Sequence, residues 1–366
     1  MPFPTPSPHY TNCAFVGVTI VIHFMLTHGS VPPTCVICES LISSYLLFLI
    51  NLLVVLKLGV DIHLNPPSAC VFPCLRILLL KCVTFANRDS LSTILNACPV
   101  LLDLSLHLVD KYLNNLDEFN VIVPVATIKI LHLHWNVQPS LKYLFQINIP
   151  ALEYFHFRGY LNRDDVLEKL PNVVECVIQI EDCEKSDDYA KRVWDFMGKL
   201  YNVISMELSI ITALILFHGS NHEDSPTFHN LSLKFCGDIW FDCYAWHVVH
   251  LLLCRAPKLQ ILTFEHSILL GFNLYKPNPC LEEPLNVPEC MSSHLTMCHY
   301  KGLRGTTKDM ELIRKILEAA RVLKTMKITL LSYLGSRRKL CIRNELRKFQ
   351  RSSQNCQIAF DDGHFT

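Results

Sequence analysis

Pro99-Val100-Leu101-Leu102-Asp103-Leu104-Ser105-Leu106 is the stretch on which the reading of the fold turns. Its apolar residues Leu101, Leu104 and Leu106 follow an apolar-x-x-apolar-x-apolar spacing, with a proline two residues ahead. The same spacing starts at Leu53, Leu75, Leu101, Ile128, Leu152, Val173, Val203, Phe228 and Leu259, at intervals of 21 to 31 residues. Half of the chain is apolar, so such triplets also arise by chance, and proline supplies the independent test. Pro73, Pro99, Pro150, Pro171, Pro226 and Pro257 stand two residues before six of the nine starts, where 20 prolines in 366 residues would place about half a proline by chance. Proline has no N–H to donate, so it stops a preceding helix, yet it is tolerated just before a strand. Each unit therefore reads as helix, proline, short strand. The helical halves are predicted over Asn87 to Ala97, Asn162 to Leu170, Asp187 to Leu200 and Ala245 to Arg255, from apolar residues at helical spacing. A strand and a helix repeating at this period predict an α/β fold of the leucine-rich-repeat solenoid kind.

Composition narrows the function classes. Lys plus Arg is 33 and Asp plus Glu is 33, so the formal net charge is zero, and charged residues make up only 18%. That excludes a disordered tail, which needs low hydrophobicity and high charge. It also argues against a dedicated nucleic-acid binder, which needs a basic footprint. Of the 17 cysteines, several, such as Cys74, Cys98, Cys176 and Cys298, lie in apolar runs. They read as buried free thiols in a reducing compartment, hence cytoplasmic or nuclear. Cys35 and Cys38 form a lone CxxC without the second pair a zinc site needs, so no metal is expected. Leu41 to Val60 is long enough for a membrane helix. The competing reading is buried core, because the repeat absorbs its second half, and a membrane is not expected.

No phosphate loop, dinucleotide fingerprint or nucleophile elbow occurs, so neither an enzyme nor a cofactor is expected. The acidic pairs Asp164-Asp165, Asp187-Asp188 and Glu282-Glu283 read as helix starts or loops.

Such a solenoid has a predictable concave face, because strand side chains alternate in direction. The residues between the inward apolar pairs form its central column: Lys57, Leu79, Ser105, His132, His156, Val177, Glu207, Ser232 and Thr263. Two residues onward in three consecutive units come His107, His134 and Arg158, and Tyr154 lies two residues before His156. His107, His132, His134, Tyr154, His156 and Arg158 are the candidate partner-binding residues. The partner is an unknown protein, since no peptide-recognition code is readable.

Beyond Leu259 the spacing breaks at a loop with Pro277, Pro279, Pro284 and Pro288. Val287-Pro288-Glu289-Cys290-Met291-Ser292-Ser293-His294-Leu295 follows, then a turn with Gly302 and Gly305, and a helix from about Lys308 to Ala320. Thr306 is placed to cap it, with Asp309 in the capping-box position. Arg321-Val322-Leu323-Lys324-Thr325-Met326-Lys327-Ile328 then reads as a strand. Leu295-x-x-Cys298-x-Tyr300 and Leu323-x-x-Met326-x-Ile328 continue the triplet rhythm. Further on, Arg337, Arg338, Lys339, Arg343, Arg347, Lys348 and Arg351 read as a basic helix packed through Leu340, Ile342, Leu346 and Phe349.

This C-terminal stretch resembles the FBD domain of plant F-box proteins over about Pro284 to Asp361. The motif residues are Val287, Pro288, Glu289, Cys290, His294, Leu295, Gly302, Ala320 and Leu323. Leu53-Val54-Val55-Leu56-Lys57-Leu58 and Asn96-Ala97-Cys98-Pro99-Val100-Leu101 resemble the repeats of the same F-box/FBD/LRR-repeat family. The expected domains are an atypical apolar leader at 1–40, a repeat array at 41–275 and an FBD domain at 276–366 that closes the array. The resemblance implies a substrate-recognition part of a cullin-type ubiquitin ligase. Family members usually dock a Skp-type adaptor through an F-box, and residues 1–70 show no such pattern, which puts that partner in doubt. The alternatives are an F-box-less paralogue or scaffold with no ligase role, and a membrane-anchored repeat protein.

Overall fold

The computed structural model describes residues 18–23, 51–59, 62–113, 119–137, 143–181, 186–218, 226–237, 245–266, 284 and 286–361. The leader outside 18–23, Cys35 and Cys38, residues 41–50 and Glu282-Glu283 lie outside these.

In chain order the elements begin with β1 (Val18–His23), β2 (Leu53–Gly59), β3 (His63–Leu64), β4 (Ile77–Lys81), β5 (Thr84–Phe85), α1 (Ser90–Asn96) and β6 (Asp103–Val109). Then come β7 (Phe119–Val123), β8 (Ile130–Asn136), β9 (Tyr143–Ile147), β10 (Tyr154–Gly159), β11 (Val166–Leu167), β12 (Glu175–Ile180), α2 (Asp187–Gly198) and β13 (Ser205–Ser209). The last third holds α3 (Ile210–His218), β14 (Ser232–Cys236), α4 (Ala245–Cys254), β15 (Ile261–Glu265), α5 (Glu289–Ser293) and β16 (Met297–Leu303). It closes with α6 (Thr307–Ala319), β17 (Thr325–Leu330), α7 (Ser336–Arg347) and β18 (Gln357–Asp361).

Thirteen strands form one parallel sheet in the order β1-β2-β4-β6-β8-β10-β12-β13-β14-β15-β16-β17-β18. Main-sheet strands therefore lie side by side in the order in which they occur. Parallel neighbours need crossovers, and from β2 onward these carry a helix, a short strand or both. β7, β9 and β11 make a second, three-stranded parallel sheet, and β3 pairs with β5.

The core fills the space between main sheet and crossovers. The inner apolar positions of the triplets, such as Leu104, Leu106, Leu131, Leu133, Phe155 and Phe157, are buried. Rings bridge the layers: Phe145 of β9 stands 5.5 Å from Phe157 and 5.9 Å from Trp135. Phe196 of α2 takes over that role one unit later, 5.2 Å from Phe157. Phe235, Phe264 and Tyr300 stack along successive strands at 5.5 and 5.6 Å. Between units, Asn172 donates to the Pro150 carbonyl and Asn202 to the Pro171 carbonyl.

Most of the expected helices are present at α1, α2 and α4. Asp187 and Asp188 sit in the first turn of α2, and the Ser186 hydroxyl caps it by accepting from Tyr189 N. Asn162 to Leu170 is not a helix. Asp165 accepts from Phe145 N at 3.0 Å and from Asn162 N at 2.6 Å, which ties this segment to β9 as the short strand β11. Two smaller expectations also fail: Cys74 is exposed, and Leu340 of α7 is 58% exposed. Ile342 and Leu346 alone carry the buried face of that helix.

One register correction matters for the outer face. In most units one carbonyl accepts from two successive N–H groups of the next unit, as Arg76 O does from Leu102 N and Asp103 N, and Leu102 O from Lys129 N and Ile130 N. This two-for-one step is a bulge that absorbs one residue ahead of the strand in those units. At β14 Ile204 O accepts from Ser232 N alone, and at β18 Lys324 O accepts from Gln357 N alone. Without the extra residue, Leu231 stands two positions before Leu233 rather than three. A triplet started at Phe228 is thus two residues out of frame. Ser232 does not occupy the central column; Lys234 does, paired with Glu207 and Thr263.

The capping box at Thr306 is present, with Asp309 N donating to the Thr306 hydroxyl and Thr306 N to Asp309. Asp309 also accepts from the buried Tyr300 hydroxyl at 2.8 Å. β16, β17 and β18 continue the same sheet from β15 without a break. Among the described residues, no helix is long and apolar enough to cross a membrane.

Candidate partner-binding face

The outward side of the main sheet is where alternation sends the polar residues of each strand. On β6, β8 and β10, every second residue is half-buried or, at Asn136 and Arg158, exposed rather than buried. Strand pairing then decides which of these meet. His132 pairs with Ser105 and His156, and His134 with His107 and Arg158. Tyr154 pairs with Ile130 on the same face. All six residues singled out by spacing therefore lie on three adjacent strands.

The imidazoles are in contact. The His107 and His134 rings are 4.0 Å apart, and His134 and His156 stand edge to face at 4.8 Å. His132 Nδ1 lies 3.4 Å from His156 Nδ1, and the Tyr154 ring lies 5.2 Å from that of His132. His156 Nε2 is buried with no hydrogen-bond partner. Arg158 reaches Glu181 only loosely, at 3.6 Å.

This packing keeps the imidazoles uncharged. Burial pulls His107 down to about 4, with Lys81 and the neighbouring imidazoles adding to the shift. Burial, then His107 and Arg158, pull His134 down to about 3. Burial, then His134 and His132, do the same to His156, at about 3, and burial lowers His132. Burial pushes the Tyr154 phenol up to about 12 and the Asp103 carboxyl up to about 6, against the pull of Lys57. Among the described residues, no three His, Cys, Asp or Glu side chains converge to hold a metal ion.

The other half of the face, missed in the sequence, is an ion-pair lattice. Lys234 reaches Glu207 at 2.9 Å and Glu265 at 3.1 Å, and Lys301 reaches Glu265 at 3.1 Å. Lys327 pairs with Asp361 at 2.6 Å. Burial disfavours the charge on Glu265, but Lys234 and Lys301 outweigh it and lower its pKa. The available signal was Leu233-Lys234-Phe235, a cation between two apolar residues, which the displaced frame concealed.

The C-terminal motif residues serve architecture. Cys290, Leu295, Ala320 and Leu323 are buried, and the Cys290 thiol points at Leu253 O, 3.6 Å away. Pro288 and Glu289 open α5, His294 closes it, and Val287 is exposed. Gly302 has φ +77°, and a Cβ there would meet the His266 Cβ at 2.9 Å.

Residues 282–328 match the FBD family. Over 315 residues, the chain is 30% identical to an FBD-associated F-box protein of Arabidopsis thaliana, covering 84% of this chain and 72% of that one. Another FBD-associated F-box protein of that plant is 28% identical over 320 residues, covering 84% of this chain and 68% of its own. A protein of that plant named for an F-box, an FBD and leucine-rich repeats is 29% identical over 311 residues, covering 84% and 66%. The chain thus spans about two thirds of the length of these relatives.

Proposed function

Because the chain belongs to the F-box/FBD/LRR-repeat protein family, we propose that it is a non-catalytic interaction module that selects protein substrates for a cullin-type ubiquitin ligase. On this reading the main sheet lines the concave side of a leucine-rich-repeat solenoid. Residues 41–275 form the repeat array, and residues 276–366 close its end. The observation that carries the reading is the outer face of the sheet. It gathers polar and aromatic side chains from strands 20 or more residues apart, while the opposite side of β2 to β17 faces the core. A face built that way binds by shape and scattered polar groups. The setting is the cytoplasm or nucleus.

Two experiments test the two parts. For the face, a chain with His132→Asp, His156→Asp and Arg158→Glu should melt cooperatively and lose partners captured by the unaltered chain. Retention of every partner by the folded variant refutes the assignment of the face. For the ligase, the test is a pull-down of the tagged chain with a purified Skp-type adaptor. Recovery of the adaptor upholds the ligase role through a divergent F-box in residues 1–70; failure by a folded chain overturns that role and leaves a repeat-plus-FBD interaction module or scaffold.

A further inference from the structure

The main sheet ends at β18, which has β17 on one side and, among the described residues, no strand on the other. In a parallel ladder the N–H and C=O of one residue face the same neighbour, and successive residues face opposite sides. Gln357 N donates to Lys324 O at the start of β17. Gln357, Ala359 and Asp361 therefore turn their backbone groups to β17, and Ile358 and Phe360 turn theirs to the open edge. Arg351 Nη1 donates to the Cys356 carbonyl where that edge begins. Among the described residues, no group does the same for Ile358 or Phe360. Exposed edges are commonly blunted by proline, lysine or a bulge, and Gln357-Ile358-Ala359-Phe360-Asp361 has none of these.

The core side of β18 is open as well. On β4 to β17 the inward apolar residues are buried, whereas Ile358 and Phe360 are only half-buried, because no further crossover packs beyond them. The Arg343 and Arg347 guanidiniums lie over the Phe360 ring, at 5.4 and 5.9 Å from its centre. Leu340, Arg343 and Arg347 share one face of α7 by their helical spacing, and Leu340 and Arg347 are exposed. A free backbone edge, an uncovered apolar strip and an exposed guanidinium thus stand together at the end of the array.

Charge selects the occupant. α7 and its C-cap carry Arg337, Arg338, Lys339, Arg343, Arg347 and Lys348 against the single carboxylate of Glu345. Two copies of β18 pairing edge to edge about a two-fold axis would set two such helices on the same side of one continuous sheet, where like charges repel. An acidic segment is attracted to the same place. From this juxtaposition we infer that β18 docks an extended segment of a partner protein, which joins the sheet as one more strand. That segment sets apolar residues against Ile358 and Phe360, and an Asp or Glu against Arg347. Strand addition of this kind takes its affinity from main-chain hydrogen bonds and its specificity from alternate side chains. This surface is separate from the histidine-bearing outer face and does not rest on the reading of that face.

The probe is a labelled synthetic heptapeptide with Val, Glu and Val set between Thr residues, titrated into the full chain by fluorescence anisotropy. Matched peptides carry Gln in place of Glu, or N-methyl groups on alternate residues in either of the two frames. The expected result is saturable binding of the Glu peptide. One N-methyl frame should keep binding and the other should abolish it, because only one set of N–H groups faces β18. The Gln peptide should bind several-fold more weakly. Arg347→Gln should weaken the Glu peptide several-fold and leave the Gln peptide unchanged. Ile358→Pro removes an edge-facing N–H and spares the bonds to β17, so it should melt cooperatively and lose the peptide. Should that variant not fold, the N-methyl pair and Arg347→Gln still decide. Hydrogen exchange supplies a direct readout: the Ile358 and Phe360 amides should exchange faster than that of Ala359, and slow when the peptide is bound. No binding, binding of both N-methyl frames, or equal binding of the Gln peptide overturns the inference. Self-association in sedimentation velocity that Ile358→Pro removes would put a second copy on the edge and overturn it too.

Discussion

Acidification should destabilise the folded chain through the histidine patch. Burial and neighbouring charge hold His107 at about 4, and His134 and His156 at about 3, whereas an unfolded histidine titrates near ~6.5. Between these values the unfolded chain binds more protons than the folded one, so stability rises with pH. The contribution is intact above pH ~6.5 and is lost progressively toward pH ~4 for His107 and pH ~3 for His134 and His156. Lowering the pH from 7 to 5 costs about 2 kcal/mol for each such imidazole by linkage alone. The rings keep some contact with water, which screens the effect, so about 1 kcal/mol each is the working figure. The three together then cost about 3 kcal/mol. With about 0.8 kcal/mol per degree for 366 residues, this lowers the melting temperature by about 4 °C. Asp103 acts in the opposite direction, because its raised carboxyl takes up a proton more readily when folded. The assay is therefore a difference: circular-dichroism melts at pH 7 and pH 5 for the native chain and for His107→Gln/His134→Gln. The variant should lose about 2 kcal/mol less on acidification than the native chain. An equal loss in both proteins would refute the premise that these imidazoles are held neutral by their packing.

Two further substitutions probe the frame that holds the face. Gly159 has φ +143°, and a Cβ there would lie 1.8 Å from the Trp135 carbonyl oxygen. Gly159→Ala must part β8 from β10 and should cost about 3 kcal/mol or more in a urea titration, while an unchanged midpoint would show that the strands do not approach this closely. Asp309 joins the Tyr300 hydroxyl to the start of α6, so Asp309→Ala should cost about 2–4 kcal/mol. Asp309→Asn keeps an acceptor oxygen and should cost clearly less; equal losses would argue that the acceptor is not what matters.

The repeat was legible because its signals are local. A proline before Leu75, Leu101 or Leu152 and alternation within each strand are facts about neighbouring residues, and the strands appear where those residues put them. The capping box at Thr306 is equally local. The failures share a cause as well. β11 was hidden because Val166 and Leu167 owe their strand to pairing with β9, fixed where Asp165 accepts from Phe145 N, outside the segment. The second sheet had a visible alternation in Phe119, Val121 and Val123, all buried, but nothing local says which strand that alternation joins. The frame error at β14 came from a bulge residue that is absent there, a property of the hydrogen bonds to the preceding strand.

The sequence by itself determined the repeating unit, the inward and outward sides of most strands, and the family of the C-terminal segment, because these follow from spacing along the chain. Tertiary structure alone decided which outward residues touch. Lys234 and Glu207 are separated by a whole crossover, yet meet at 2.9 Å. His132 and His156 come from different units, yet their Nδ1 atoms lie 3.4 Å apart. A side chain's charge state depends on its burial and on the charges a few ångströms away. Those neighbours are chosen by strand register, so the neutral histidine patch and the ion-pair lattice beside it exist only once the strands have paired.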